Sequence, residues 1–258
     1  MNSFLECVKA SVNKRVALLP DIPLHRINHK SFMDIFKARN MPVVISEIKF
    51  ASPSRGLIYF GEENHVQIAK GYLHSGASAI SVLTEPNYFR GNVSYIHDLF
   101  MHCDQPQVLM KDFIMHPKQL KLAVNHGATA ILLMTSILDD NTLKTLYDTA
   151  IAYGLTPIVE VHDELTLARA NDLAPMVIGV NNRNLHTLEV DLNTAKRLIK
   201  NVPDQCVAIC ESGLSKASEI KEMLALGYEG FLIGSSLMSQ SEPDLALKKL
   251  LAEVADET

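Results

Sequence analysis

Pro106-Gln107-Val108-Leu109-Met110-Lys111-Asp112-Phe113 is an apolar run of β type that ends on a lysine and an aspartate. Burying a charge is costly unless it is paired or used. A strand finishing on Lys111 therefore carries its ammonium to an edge where a partner or ligand waits. The same event recurs on both sides of this stretch. Val43-Val44-Ile45 is closed by Glu47 and Lys49, Pro157-Ile158-Val159 by Glu160, and Val177-Ile178-Gly179-Val180 by Asn181 and Arg183. Such endings point to one shared site where parallel strands finish.

Working outward, strand-like runs are expected near residues 43–48, 78–83, 107–111, 129–134, 156–161, 176–181, 206–210 and 229–233. Between them, apolar residues fall at helical spacing, as in Val66, Ile68, Ala69, Tyr72 and Leu73, and again in Leu192, Ala195, Leu198 and Ile199. Gly76, Gly127, Gly154 and Gly227 stand where helices should stop. Strands alternating with helices predict a parallel sheet. Eight such units in 258 residues fit a single (β/α)8 TIM barrel spanning 1–258. An open doubly wound sheet is the structural rival, but no G-x-G-x-x-G follows the first strand to support dinucleotide binding.

Residues 1–41 form no βα unit and read as an N-terminal helical extension of two helices. Leu5, Val8, Val12 and Val16 make one stripe; Ser31 with Asp34 marks a second helix start, stopped before Pro42. The extension either covers one end of the barrel or helps shape the mouth of the site.

Composition limits the function. The chain is 47% hydrophobic and 21% charged with a net charge of -5, and it has no long basic run, so no nucleic-acid partner is expected. Cys7, Cys103, Cys206 and Cys210 show no C-x-x-C spacing and suit a reducing, cytoplasmic setting. No signal peptide is evident, and no apolar stretch reaches the ~20 residues of a membrane span.

Side chains alternate faces along a strand, so Glu47 and Lys49 share one face, as do Asn181 and Arg183. With Lys111 and Glu160 they form either a network of ordinary ion pairs or a set of tuned acids and bases. Convergence of several strand ends favours the second, because barrel active sites form there. Glu211-Ser212-Gly213 and Gly234-Ser235-Ser236 follow the seventh and eighth strands, the usual phosphate position in such barrels. Ser52-Pro53-Ser54-Arg55-Gly56 adds a polar loop after the first strand. No H-E-x-x-H occurs. His162 shares a face with Glu160 beside Asp163, but no third ligand is marked, and Asp163-Glu164 suits a helix start. No metal is expected. Cys210 reads as a buried thiol rather than a nucleophile.

These stretches together resemble indole-3-glycerol phosphate synthase. The most specific is Ser46-Glu47-Ile48-Lys49-Phe50-Ala51-Ser52-Pro53-Ser54-Arg55-Gly56. Others are Ser81-Val82-Leu83-Thr84-Glu85, Lys111-Asp112-Phe113, Val159-Glu160-Val161-His162, Gly179-Val180-Asn181-Asn182-Arg183-Asn184-Leu185, Glu211-Ser212-Gly213, and Phe231-Leu232-Ile233-Gly234-Ser235-Ser236. They span nearly the whole chain.

The resemblance implies ring closure, decarboxylation and dehydration of 1-(2-carboxyphenylamino)-1-deoxyribulose 5-phosphate to indole-3-glycerol phosphate, with no cofactor. By similarity Lys111 is the general acid for ring closure and Glu160 a second acid/base group. Lys49 pairs with the substrate carboxylate and Glu47 orients Lys49. Asn181 positions the anilino part, Arg183 steadies the network, and Ser212 contacts the ribulose chain. Ser52, Gly213, Gly234 and Ser235 hold phosphate, while Phe89, Leu132 and Leu185 flank the ring. The expected partner is this small phosphorylated substrate, and the expected state a monomer. One rival is another phosphosugar barrel, such as phosphoribosylanthranilate isomerase, whose Cys and Asp pair would leave the two lysines unexplained. The other is a non-catalytic barrel that binds a phosphate metabolite or a partner enzyme.

Overall fold

All eight apolar runs form strands: β1 (Val43–Ile48), β2 (Ala79–Leu83), β3 (Val108–Lys111), β4 (Ala130–Met134), β5 (Thr156–Val161), β6 (Val177–Asn181), β7 (Val207–Glu211) and β8 (Gly230–Ile233). The computed structural model describes residues 4–25, 27, 29–37, 41–59, 64–185 and 187–256. Each strand pairs in parallel with its neighbours in the chain. β1 then meets β8 from Val43↔Gly230 to Ser46↔Ile233, which closes the sheet into a barrel. β1, β2, β4, β5, β6 and β8 are buried at every position. Their outer faces lie under helices and their inner faces fill the barrel, so the runs read as continuously apolar rather than alternating.

The helices are α1 (Phe4–Leu18), α2 (His65–His74), α3 (Pro86–Phe89), α4 (Ser94–His102), α5 (Pro117–His126), α6 (Asp140–Ala152), α7 (Glu164–Asn171), α8 (Asn193–Leu198), α9 (Ala217–Ala225), α10 (Ser235–Met238) and α11 (Pro243–Ala255). The four glycines expected to stop helices all have positive φ, from 84° to 104°. Asp163 caps α7, its carboxylate accepting from the Thr166 amide at 2.8 Å. No described helix is long and apolar enough to cross a membrane.

The N-terminal segment corrects one expectation. α1 buries Leu5, Val8 and Val12 as its stripe requires. The second element is a five-residue 3-10 turn, Phe32–Phe36, not an α-helix, although Ser31 does cap it through the Met33 amide. β1 already begins at Val43, seven residues after Phe36.

The two N-terminal elements serve opposite ends. Phe36 abuts Gly230 at the start of β8, where an added Cβ would lie 3.1 Å from its ring, so this turn plugs the N-terminal end. α1 crosses the other end. Arg15 donates to both carboxylate oxygens of Asp112, at 2.7 and 3.0 Å, immediately after the end of β3. Thr84 donates to the same carboxylate at 2.8 Å. Phe36→Ala would open a void in the plug and should lower stability by about 3–5 kcal/mol, the usual scale for a buried Phe. Denaturant unfolding measures it; a loss below ~1 kcal/mol would remove Phe36 from that role.

Candidate active site

Side chains pointing inward at the C-terminal ends of the strands set the site. Alternation places Glu47 on the inner face of β1 and sends Lys49 the same way just past its end. Lys111, Glu160, Asn181 and Glu211 occupy inner positions at the ends of β3, β5, β6 and β7. They meet in one cavity of about 400 Å³, within the usual range for small-molecule sites. All eleven residues singled out from the sequence line it: Glu47, Lys49, Ser52, Lys111, Glu160, Asn181, Arg183, Ser212, Gly213, Gly234 and Ser235. Phe89, Leu132 and Leu185 line it too.

The polar floor is an ion-paired cluster. Lys49 Nζ lies 2.5 Å from Glu47 Oε1, and the Ser81 hydroxyl donates to Glu47 Oε2 at 3.4 Å. Lys111 Nζ is 3.2 Å from Glu211 Oε2 and 3.6 Å from Glu160 Oε2. Asn181 Nδ2 donates to Glu160 Oε2 at 3.1 Å, while its own carbonyl oxygen accepts from the Arg183 amide at 2.9 Å. Asn182 braces the end of β7 from behind, donating to the Glu211 and Ser212 carbonyls at 3.0 and 3.1 Å.

Glu211 was not among the expected site residues. Its motif reads as an anion cradle, and its place at the last position of β7 was the available signal, since it obeys the same strand-end rule as Glu160. Two glycines make room for the carboxylates. Gly179 faces Glu160 in register on the neighbouring strand, and any side chain there would strike Glu211 Oε1. A Cβ on Gly234 would sit 2.5 Å from Glu47 Oε1.

Burial and mutual charge tune these groups. Burial would depress Lys111, but Glu211, Glu160 and Glu47 outweigh it and raise its pKa, so it stays an ammonium. Burial would raise Glu47, but Lys49 and Lys111 outweigh it and hold its carboxyl below the ordinary range. Glu211 goes the other way. Burial, reinforced by Glu160 and Glu47 against the pull of Lys111, pushes it up to about 7. The floor can therefore gain or lose a proton near neutrality. Arg183 is lowered by burial and by the nearby guanidinium of Arg55, a pairing that favours an anion between them.

The walls differ in character. Phe4 from α1 packs edge-on against Tyr88 at 5.2 Å and Phe113 at 6.4 Å, and Phe89 lies 6.1 Å from Phe113. Phe4, Phe89 and Phe113 line the cavity with Leu132 and Leu185 as its apolar side. Opposite, Ser212 and Gly213, both at positive φ, and Gly234-Ser235 at the start of α10 form a small-residue rim. Ser52, in a two-strand hairpin after β1, adds its hydroxyl side. Among the described residues no cluster of His, Cys, Asp and Glu has the arrangement of a metal site.

A closed parallel barrel with acids, bases and a polar rim at its C-terminal mouth defines an acid–base TIM-barrel enzyme. Structures of 3-hexulose-6-phosphate synthase (TM-score 0.67, 17% identity, 83% of this chain and 100% of that one) and of tryptophan synthase subunit alpha from Legionella pneumophila (0.62, 14%, 86% and 95%) share the fold. The family model for indole-3-glycerol phosphate synthase matches residues 5–250. Proteins of that name from Listeria monocytogenes serotype 4a and Geobacillus sp. WCH70 are 40% and 38% identical, covering 96% and 97% of this chain and 98% and 97% of their own. The chain belongs to the indole-3-glycerol phosphate synthase family, carboxy-lyases of tryptophan biosynthesis.

The raised pKa of Glu211 has a consequence for stability. The folded state holds a proton that the unfolded chain releases near pH 4.5. Stability from this group is thus present below that pH and is lost as pH rises through about 7. Glu211→Gln removes the penalty, so its melting temperature relative to wild type should rise between pH 5 and pH 8. An equal difference at both pH values would show that Glu211 does not titrate in this window.

Proposed function

We propose that this protein performs the reaction for which its family is named, closing the indole ring of 1-(2-carboxyphenylamino)-1-deoxyribulose 5-phosphate with loss of carbon dioxide and water. The observation that carries the reading is the Lys111 ammonium, set between Glu160 and Glu211 in the cavity that also holds Lys49. The substrate has an aromatic carboxylate at one end and a phosphate at the other. The cavity offers an apolar wall with a cation near it and a small-residue rim across from them.

In this reading the phosphate sits on Ser52, Gly213, Gly234 and Ser235. The first N–H groups of α10 have no partner within the helix, and glycine lets the backbone approach an anion closely. The anilino ring rests among Phe89, Leu132 and Leu185, with Asn181 on the nitrogen side. Lys49 pairs with the carboxylate, oriented by Glu47, and Arg183 adds positive charge.

Chemistry begins when the aromatic carbon bearing the carboxylate attacks the ribulose carbonyl. Lys111 Nζ gives its proton to the oxygen as negative charge develops. A raised pKa does not prevent this, because the developing alkoxide is more basic than any amine. Carbon dioxide departs and the ring regains aromaticity. Glu160 then serves the dehydration, moving protons as the hydroxyl leaves as water. Ser212 steadies the ribulose chain throughout. Phosphate anchoring acts on rate because it holds the reacting carbons in a productive pose.

The isomerase-like alternative needs a reactive thiol. Burial pushes the Cys206 and Cys210 thiols up to about 12, which makes them poor bases at neutral pH. Residues of one chain line the cavity, which fits a monomer, and the free cysteines fit a cytoplasmic location.

The test is to supply the carboxyphenylamino substrate and follow indole fluorescence and carbon dioxide release; the chain has no Trp to add background. Lys111→Met should lower turnover by roughly 10²–10⁴-fold, the scale for a lost acid, while circular dichroism remains native. Near-normal turnover would take the general-acid role from Lys111. Ser235→Asp should raise the Michaelis constant at least about tenfold by like-charge repulsion at the phosphate. An unchanged constant would place the phosphate elsewhere.

A further inference from the structure

We propose that His162 is a proton relay that recharges Glu160 from a second, solvent-open cavity beside the active site. The inference rests on the cyclisation assigned above and adds the route of its proton. With the substrate carboxylate ionised, each turnover consumes one proton. The carbonyl oxygen takes up two protons on its way to water. The methylene between the nitrogen and the former carbonyl carbon gives one back. The carboxylate leaves as neutral carbon dioxide, its bonding pair restoring the aromatic ring. One proton must therefore enter from solvent per cycle, while substrate fills the mouth of the first cavity.

Glu160 has one oxygen turned to each side. Oε2 accepts from Asn181 and faces Lys111. Oε1 is buried, has no hydrogen-bond partner among the described residues, and lies 3.8 Å from His162 Nδ1. Glu160 lines the first cavity and not the second; His162 lines the second and not the first. That second cavity is about 690 Å³ and meets the first at Asn181, Arg183 and Leu185. Glu6, Asp163, Glu189, Asp191 and Arg197 on its border are exposed, so water reaches it. The His162 side chain is only 13% exposed and stands between that water and the buried carboxylate.

The charged groups around the ring come from every neighbouring element. Glu160 precedes it on β5; on the cavity border stand Glu6 and Lys9 from α1, Asp163 and Arg169 from the cap and body of α7, Arg183, Glu189 and Asp191 from the segment after β6, and Arg197 from α8. Arg169 is committed to Asp140 and two backbone carbonyls, and Arg197 to Glu164.

The step balances. Solvent gives a proton to Nε2 of the neutral imidazole, and Nδ1–H passes its proton to Glu160 Oε1. A half-turn of the carboxyl presents that proton to the first cavity. Proton exchange with water of the second cavity, Nε2 releasing its proton as Nδ1 takes one up, restores the starting tautomer. The 3.8 Å gap is longer than a hydrogen bond, but catalytic hydrogen bonds are often long in a free enzyme and tighten in the substrate complex. Imidazole suits the task because it both accepts and donates near neutral pH. His162 touches no substrate and acts through Glu160.

The experiment compares first and later turnovers of the full-length wild type, His162→Ala and His162→Asn by stopped-flow indole fluorescence, with and without added imidazole. The first turnover draws on protons already held by Lys111 and the carboxyl cluster, so it should proceed at the wild-type rate. Later turnovers should slow by roughly 10²-fold, the low side of the range for lost proton transfer, with the Michaelis constant unchanged. Imidazole should restore the Ala variant. Asn keeps a polar side chain but cannot relay, and should stay slow. The proposal is overturned if later turnovers of either folded variant stay within about twofold of wild type. It is equally overturned if first and later turnovers slow together, or if imidazole restores nothing. A wild type that makes no indole product would instead defeat the cyclisation itself.

Discussion

Three carboxyl groups and two ammonium groups share the floor of one cavity, and none of them is tolerable there without the others. An isolated ion in such a place costs several kcal/mol, so Glu47, Glu160 and Glu211 are held by Lys49 and Lys111, and the lysines by them. The same dependence explains the small residues around the cluster. Gly179 and Gly234 face the carboxylates because a methyl group at either position would displace one oxygen and unbalance the set. It also explains Asn182, which makes no contact with the cavity floor but fixes the backbone where β7 ends and Glu211 points inward. Glu211, buried beside two other carboxyl groups, is the one whose pKa rises.

The N-terminal extension completes what the barrel leaves open. An eight-stranded barrel supplies polar side chains at its strand ends but little apolar surface above them. α1 brings Phe4 over the mouth, and the Arg15–Asp112 pair anchors that helix one residue from Lys111. The 3-10 turn with Phe36 seals the opposite end. In the reading proposed above, the polar floor, aromatic wall and small-residue rim receive a substrate with an aromatic carboxylate at one end and a phosphate at the other.

Much of this was legible in the chain. Strand positions agree with the structure to within about one residue at every end, because buried parallel strands are continuous apolar runs and four of the helices between them stop at glycine. Glu47, Lys49, Lys111, Glu160, Asn181 and Arg183 were visible because charge after an apolar run is locally anomalous. The second N-terminal helix was overread, since a helix start at Ser31 says nothing of how soon the chain must turn into β1. Glu211 was passed over because Ser212 and Gly213 beside it carried a competing explanation, and a carboxylate within a phosphate loop looks out of place until its direction is known.

Local pattern, then, determined the strands, their order and the ionisable groups that end them, because alternation and burial act within a few residues. Tertiary structure alone decided that Lys111 faces Glu211, a hundred positions away, that Gly179 yields space to that same carboxylate, and that Glu160 turns one oxygen toward His162 and away from the substrate cavity. Those relations depend on how barrel closure staggers the strands. The proton affinities they create depend on distance and desolvation, neither of which is written in the order of residues.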